Sequence, residues 1–149
     1  MTVYRVCSSS YADLDGEGAR KYGGRWNSPG LAVVYTADSL ALAILETRVH
    51  LRRMPVDYVS LAIEIRDSAF APHEVPLAEL DSNWRYDPVL TSGIGDTHFV
   101  ATPMIPLKVP SVVVESEWNI LFSPDYAAAY ATIVDKQSLT IDSRLWDAP

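Results

Sequence analysis

The chain has 149 residues, 48% of them hydrophobic and 21% charged, the composition of an ordinary globular domain long enough for one substantial core. Twelve Lys and Arg stand against 19 Asp and Glu, a net charge of −7 with no basic tract, so the electrostatic footprint of a nucleic-acid binder is missing. The single cysteine, Cys7, excludes an internal disulfide and a cysteine-built metal cluster.

The start, MTVYRVCSSS, lacks a basic segment followed by a long apolar stretch, so no signal peptide is expected. No window approaches about 18 consecutive apolar residues, so no membrane span is expected and a cytoplasmic protein is. Val3 to Val6 alternates as a short strand with Arg5 on one face. Ser8 to Asn27 is polar, glycine-rich and without periodicity. Loops of that length in a compact domain are functional or disordered, and Tyr22, Trp26 and the arginines argue against disorder. One helical turn is predicted at Glu17–Tyr22.

Leu31–Thr36 is a nearly continuous apolar run that predicts a buried strand. Ser39 is placed to cap a helix over Leu40–Leu51, which Arg52 and Arg53 favour at its negative end and Met54-Pro55 stops. Leu42, Leu45 and Val49 form its apolar stripe, and Glu46 borders that stripe. Tyr58–Ile65 alternates, with Val59, Leu61, Ile63 and Ile65 on one side. Residues 68–88 read as irregular, with three prolines and a short helix at Leu77–Leu80. A helix is predicted over Thr91–Thr102 and a strand over Leu107–Val114, with an edge or bulge at Pro110-Ser111. A strand at Trp118–Phe122, a helical turn at Asp125–Ala129 and closing strands at Ala131–Val134 and Leu139–Ile141 complete the chain. Strands outnumber helices and no regular crossover helices separate them, so the fold class is α+β, with one domain over residues 1–149.

The stretch from Gly23 to Glu46 carries the chemistry. Arg25 follows a glycine pair, Tyr35 ends an apolar run, and Glu46 lies on the helix that comes next, so local chain geometry draws the three together. A guanidinium, an aromatic ring and a carboxylate on one pocket suit a phosphate-bearing nucleotide whose sugar becomes cationic during reaction. Arg25 can hold phosphate oxygens bidentately, and Arg5 offers the same chemistry from the first strand. Ser111 has no general base beside it in sequence and reads as a hydrogen-bond donor to substrate or to Glu46, not as a nucleophile. Asn119 would orient a loop or a ribose. Each has a plainer structural alternative: Glu46 paired with Arg25 or Arg48, Tyr35 as a core tyrosine, Asn119 as a turn amide. His50, His73 and His98 show no metal-ligand spacing, and the glycines fit neither GxxxxGK[ST] nor GxGxxG.

With these segments in order, the sequence resembles the RES-domain family, toxins of bacterial toxin–antitoxin pairs. The resemblance is carried by Tyr4-Arg5-Val6, GGRWNSPG (23–30), VVYTADSLALAILE (33–46), LKVPSVVV (107–114) and EWNIL (117–121). It implies a single-domain ADP-ribosyltransferase-like fold with a mixed, mostly antiparallel sheet and few helices. It implies NAD+ as substrate with no cofactor, and cleavage of the nicotinamide–ribose bond by hydrolysis or phosphorolysis, or else transfer of ADP-ribose to a protein. The implied partner is an antitoxin with a helix-turn-helix DNA-binding region that blocks the pocket, leaving the toxin without nucleic-acid contact of its own. By the same resemblance Arg25, Tyr35 and Glu46 are catalytic, while Arg5, Arg25, Tyr35, Ser111 and Asn119 bind substrate. Glu46 would stabilise the positive charge that builds on the ribose as nicotinamide leaves. The chain departs from its relatives at Thr97-His98-Phe99 and at Ser123-Pro124-Asp125-Tyr126, departures that bear on pocket specificity. Two other readings are a non-catalytic nucleotide- or antitoxin-binding module and a ribonuclease, the latter disfavoured by the −7 charge.

Overall fold

The computed structural model describes residues 1–147, so the last two positions of the expected 1–149 domain lie outside the described residues. Among the described residues seven strands form one sheet: β1 (Thr2–Ser8), β2 (Val34–Ala37), β3 (Tyr58–Ile65), β4 (His73–Glu74), β5 (Leu107–Pro110), β6 (Trp118–Phe122) and β7 (Ala131–Ser138). Their order across the sheet is β4-β5-β6-β2-β1-β3-β7, and every pairing is antiparallel except β4 with β5. Four α-helices accompany them among the described residues: α1 (Glu17–Tyr22), α2 (Leu40–His50), α3 (Pro88–Ala101) and α4 (Pro124–Tyr130). This is the mixed, mostly antiparallel α+β fold with few helices.

Side-chain caps set the helix starts. Ser39 Oγ accepts the Leu42 amide at 3.1 Å, Asp87 Oδ1 accepts the Leu90 amide at 2.9 Å, and Ser123 Oγ accepts the Tyr126 amide at 3.0 Å. Pro88 and Pro124 each occupy the first helical turn, where a missing N–H costs nothing. The alternation of β3 buries Val59, Leu61, Ile63 and Ile65 against Val3, Ile120, Phe122 and Tyr126 on one face of the sheet. A second cluster on the opposite face gathers Trp26, Trp84, Phe99, Leu107, Val109 and Leu121. Each fully buried large apolar side chain contributes roughly 1.5–3 kcal/mol.

Several elements differ from the expectation. The strand expected at Leu31–Thr36 begins only at Val34, because the Leu31 amide is drawn into a turn with the Ser28 carbonyl. α3 starts at Pro88 rather than Thr91, since proline is tolerated in a first turn. The strand expected at Leu107–Val114 stops at Pro110, so Ser111 lies just past its end. The first closing strand runs on past Val134 to Ser138, and the second, expected at Leu139–Ile141, does not form. β7 is an exposed edge, where Asp135-Lys136-Gln137 break the apolar pattern without breaking the ladder. Val49 is 57% exposed, and α2 is buried at Leu42 and Ala43 instead. Within the irregular 68–88 stretch, His73-Glu74 adds a short parallel edge to β5.

One feature of the sheet positions the site. β1 pairs with β3 along its whole length, from Thr2↔Glu64 to Ser8↔Tyr58, but with β2 only at Tyr4↔Ala37. The two central strands therefore diverge, and α2, packed on β1 and β2, spans the opening.

Candidate functional site

A cavity of about 550 Å³ lies where β1 and β2 part, within the size range of small-molecule sites. Arg5, Arg25, Tyr35, Glu46 and Asn119 all line it. Among the described residues its charged lining is two guanidinium groups and one carboxylate, with His50 as the remaining titratable ring apart from the tyrosines and Cys7. A chain of net charge −7 thus turns a locally cationic cleft outward. Such a cleft draws an anionic ligand.

Glu46 is held from the sheet side. Its Oε1 accepts a hydrogen bond from Ser111 Oγ at 2.7 Å and another from Asn119 Nδ2 at 2.7 Å. Among the described residues Oε2 accepts none, and no salt bridge joins Glu46 to Arg25 or Arg48. One carboxylate oxygen is fixed and the other is left for a ligand. Ser111 itself is fully buried and does not line the cavity; the structure brings it to Glu46. Its Oγ also accepts the Val113 and Val114 amides, each at 3.0 Å, which caps the turn after β5.

Tyr35 knits the turn that carries Arg25. Its hydroxyl accepts the Trp26 amide at 2.9 Å and donates to Asn27 Oδ1 at 2.7 Å. Asn27 Nδ2 in turn donates to the carbonyls of Ala19, Ser28 and Leu31. Burial pushes the Tyr35 phenol well above its ordinary value, reinforced by Asp96 and opposed by the Trp26 amide, so it stays protonated and its hydroxyl is fully engaged. What Tyr35 presents to the cavity is its ring. A side chain on Gly24 would start 2.5 Å from the Tyr35 hydroxyl, so this close approach requires glycine there.

Arg25 donates from Nη1 to the Arg85 carbonyl at 3.0 Å, which holds the guanidinium at the cavity wall with donors to spare. Arg5 reaches the Tyr11 carbonyl at 3.3 Å. Burial raises the Cys7 thiol, which also faces the cavity, while the neighbouring Arg5 lowers it in part. Sequence reasoning missed Arg85, whose backbone fixes Arg25 across 60 positions, and Asp96, whose Oδ1 accepts the Ser28 amide at 2.8 Å. No spacing signals such contacts. It also missed Thr47 and His50 as lining residues, although the place of His50 four positions after Glu46 was a legible helical signal. Trp26, 2% exposed, packs 6.2 Å from Trp84 and belongs to the core. Among the described residues no group of three or more His, Cys, Asp or Glu could hold a metal ion, and no helix is long and apolar enough to cross a membrane.

Comparison with known proteins covers nearly the whole fold. A family model described as the RES domain matches residues 2–142. A protein named Toxin Res, from Pseudomonas putida, is 35% identical over 150 residues, covering 98% of this chain and 100% of its own. A Sphingobium protein named Prs ADP-ribosylating toxin is 38% identical over 122 residues, covering 78% of this chain and 76% of its own. The crystal structure of the Mycobacterium tuberculosis MbcT–MbcA toxin–antitoxin complex contains a chain of like fold, with TM-score 0.75 and 23% identity over 93% of this chain and 84% of that one. By sequence alone, M. tuberculosis MbcT, named an NAD(+) phosphorylase, is 32% identical over 80 residues, 53% of this chain and 41% of its own.

Proposed function

The chain belongs to the RES-domain family, and from that premise we propose that it is the toxin of a toxin–antitoxin pair, an enzyme that breaks the nicotinamide–ribose bond of NAD+. The observation that carries the reading is the state of Glu46: one oxygen held by two 2.7 Å hydrogen bonds, the other unengaged, in a cavity shared with two arginines. NAD+ is the substrate here, consumed rather than recycled as a cofactor.

The chemistry follows from the bond being broken. The electron pair of the C1″–N bond leaves with nicotinamide, whose pyridinium nitrogen becomes neutral, so the leaving group needs no proton and the cleft needs no general acid. The positive charge is left on the ribose. Glu46 Oε2 stabilises it electrostatically, already oriented when the charge appears. Ser111 and Asn119 hold that carboxylate, so they act through Glu46. Arg25 and Arg5 take the pyrophosphate, and the Tyr35 ring forms a wall while its hydroxyl keeps the Arg25 turn in shape.

The acceptor is water or phosphate. Glu46 is the single carboxylate on the cavity among the described residues. Water would give up its proton to Glu46, whereas phosphate arrives already charged and is drawn by the arginines. A second reading, transfer of ADP-ribose to a protein, is favoured by the name of the Sphingobium relative. NAD+ labelled in its adenylate portion separates them. Free ADP-ribose marks hydrolysis, ADP-ribose 1″-phosphate marks phosphorolysis, and label retained on protein marks transfer.

For the partner, the M. tuberculosis toxin of like fold is solved with its antitoxin. We propose that this chain likewise has an antitoxin, one with a helix-turn-helix region, that closes the cleft mouth and leaves the toxin without nucleic-acid contact. Co-expression should relieve the growth arrest that expression of this chain alone produces, and arrest that persists would count against the pairing.

A further inference from the structure

α2 is buried only near its start: Leu42 is 1% exposed and Ala43 4%. Beyond Ala43 the helix that carries Glu46 has no buried side chain, and Arg52, Arg53 and Met54 after it are exposed. The end of α2 is held by the far end of the chain. Past β7, Asp142 caps a single 3-10 turn (Ser143–Leu145), and Trp146, 8% exposed, folds onto the last turn of α2. Its indole N–H donates to the Leu51 carbonyl at 3.2 Å. The Arg48 guanidinium lies 5.4 Å from the indole ring centroid, and Arg48 Nε donates to the Leu145 carbonyl. Leu51 also lines the cavity. The turn and Trp146 fall after residue 142, where the match to the family model ends.

We propose that Trp146 is a positioning residue for Glu46. The carbonyls in the last turn of a helix have no partner within it, and frayed ends begin there. Trp146 satisfies the carbonyl of Leu51, the C-cap residue of α2, and holds Arg48 where a cation favours the helix end. Glu46 is then fixed from two directions: its Oε1 by Ser111 and Asn119 on the sheet, its main chain by the C-terminal strap. Together they set where Oε2 points. Displacement by about 1 Å at a reacting centre can cost on the order of a hundredfold in rate, so a loosened strap is read out in turnover. The kinetic consequence rests on the NAD+ reading above; the consequence for helix order does not.

The test uses the full chain with Trp146→Ala, Trp146→Phe and, as a control on the other face of the sheet, Tyr126→Phe, which removes a bond to the Ala69 carbonyl. NAD+ turnover and amide hydrogen exchange over residues 46–51 are measured for each. Trp146→Ala is expected to lower kcat by tenfold or more, roughly, at unchanged KM, and to speed exchange over 46–51. Trp146→Phe keeps a ring over Arg48 and is expected to recover most of both, while the control lowers thermal stability and moves neither. Wild-type kcat and exchange in Trp146→Ala, or equal losses in the control, overturn the proposal. If the wild-type chain releases no nicotinamide, the functional reading fails on its own. Exchange over 46–51 then decides the strap: faster in Trp146→Ala supports it, unchanged overturns it.

Discussion

Ser111 has one proton and two jobs. Its oxygen accepts the Val113 and Val114 amides, so the hydroxyl proton can go only to Glu46 Oε1. Ser111→Ala removes both services at once. It leaves two amides without their acceptor, a stability loss of about 1–3 kcal/mol in thermal or denaturant unfolding, and it frees Glu46 to turn, lowering kcat while KM for NAD+ holds. Arg25→Lys probes a different term. A lysine keeps the charge but cannot reach the Arg85 carbonyl and a phosphate in one planar fork, so KM is expected to rise about tenfold, the worth of one charge-assisted bond, with kcat nearly unchanged in steady-state kinetics. At this scale the sequence was most readable where the chain is local. Arg25, Tyr35 and Glu46 lie within 22 positions, on a turn, a strand and a helix that follow one another, and the structure places all three on one cavity. What fixes Arg25 and its turn, the Arg85 carbonyl and Asp96, comes from more than fifty positions away, where neither periodicity nor spacing carries information.

α3 buttresses the Arg25 turn from behind, and its two glycines separate packing from propensity. A methyl group on Gly95 would sit 1.7 Å from the Trp26 carbonyl oxygen, so Gly95→Ala must push the helix off the turn and is expected to lower the melting temperature sharply and to abolish NAD+ turnover. Gly93 meets nothing within 4 Å and is exposed mid-helix, so Gly93→Ala is expected to stabilise by about 0.5–1 kcal/mol with activity intact. Thermal unfolding of the two variants side by side checks both. Helices with capping serines were legible in sequence because caps are local chemistry: Ser39 marked the start of α2 correctly. Asp87 and Pro88 carried the same signal for α3, and the proline was misread as irregular chain. The edge strand β7 was ended too early, at Val134 instead of Ser138, for another reason. With almost every side chain facing solvent, its only determinant is backbone pairing to β3, which leaves no mark on hydrophobic pattern.

For the molecule as a whole, charge is distributed against the average: −7 overall, yet two arginines to one carboxylate on the cavity. The acidic remainder has a cost at Asp38, between β2 and α2. Its Oδ1 is buried without a hydrogen-bond partner among the described residues, and burial, with Glu117 nearby, raises its carboxyl above the usual value. A carboxyl raised on folding favours the native state only while protonated, so its contribution is present at acid pH and lost as pH rises through the raised value. Asp38→Asn is therefore expected to raise the melting temperature at pH 7, with the gain shrinking as pH falls below that value. Fold class could be read from the excess of strands and the scarcity of crossover helices, whereas the mixed, mostly antiparallel sheet was implied only by the family resemblance. The parting of β1 from β2, which makes the cavity, could not, since both strands read alike whether paired or splayed. The central claim is that the fixed carboxylate in this opening expels nicotinamide from NAD+. It is tested most directly by following nicotinamide release from NAD+ by the purified chain and by Glu46→Gln, which keeps an acceptor for Ser111 and Asn119 but removes the charge. The account predicts release by the wild type and a loss of about a hundredfold or more in kcat in the variant at unchanged folding. Release at equal rates by both proteins would contradict it.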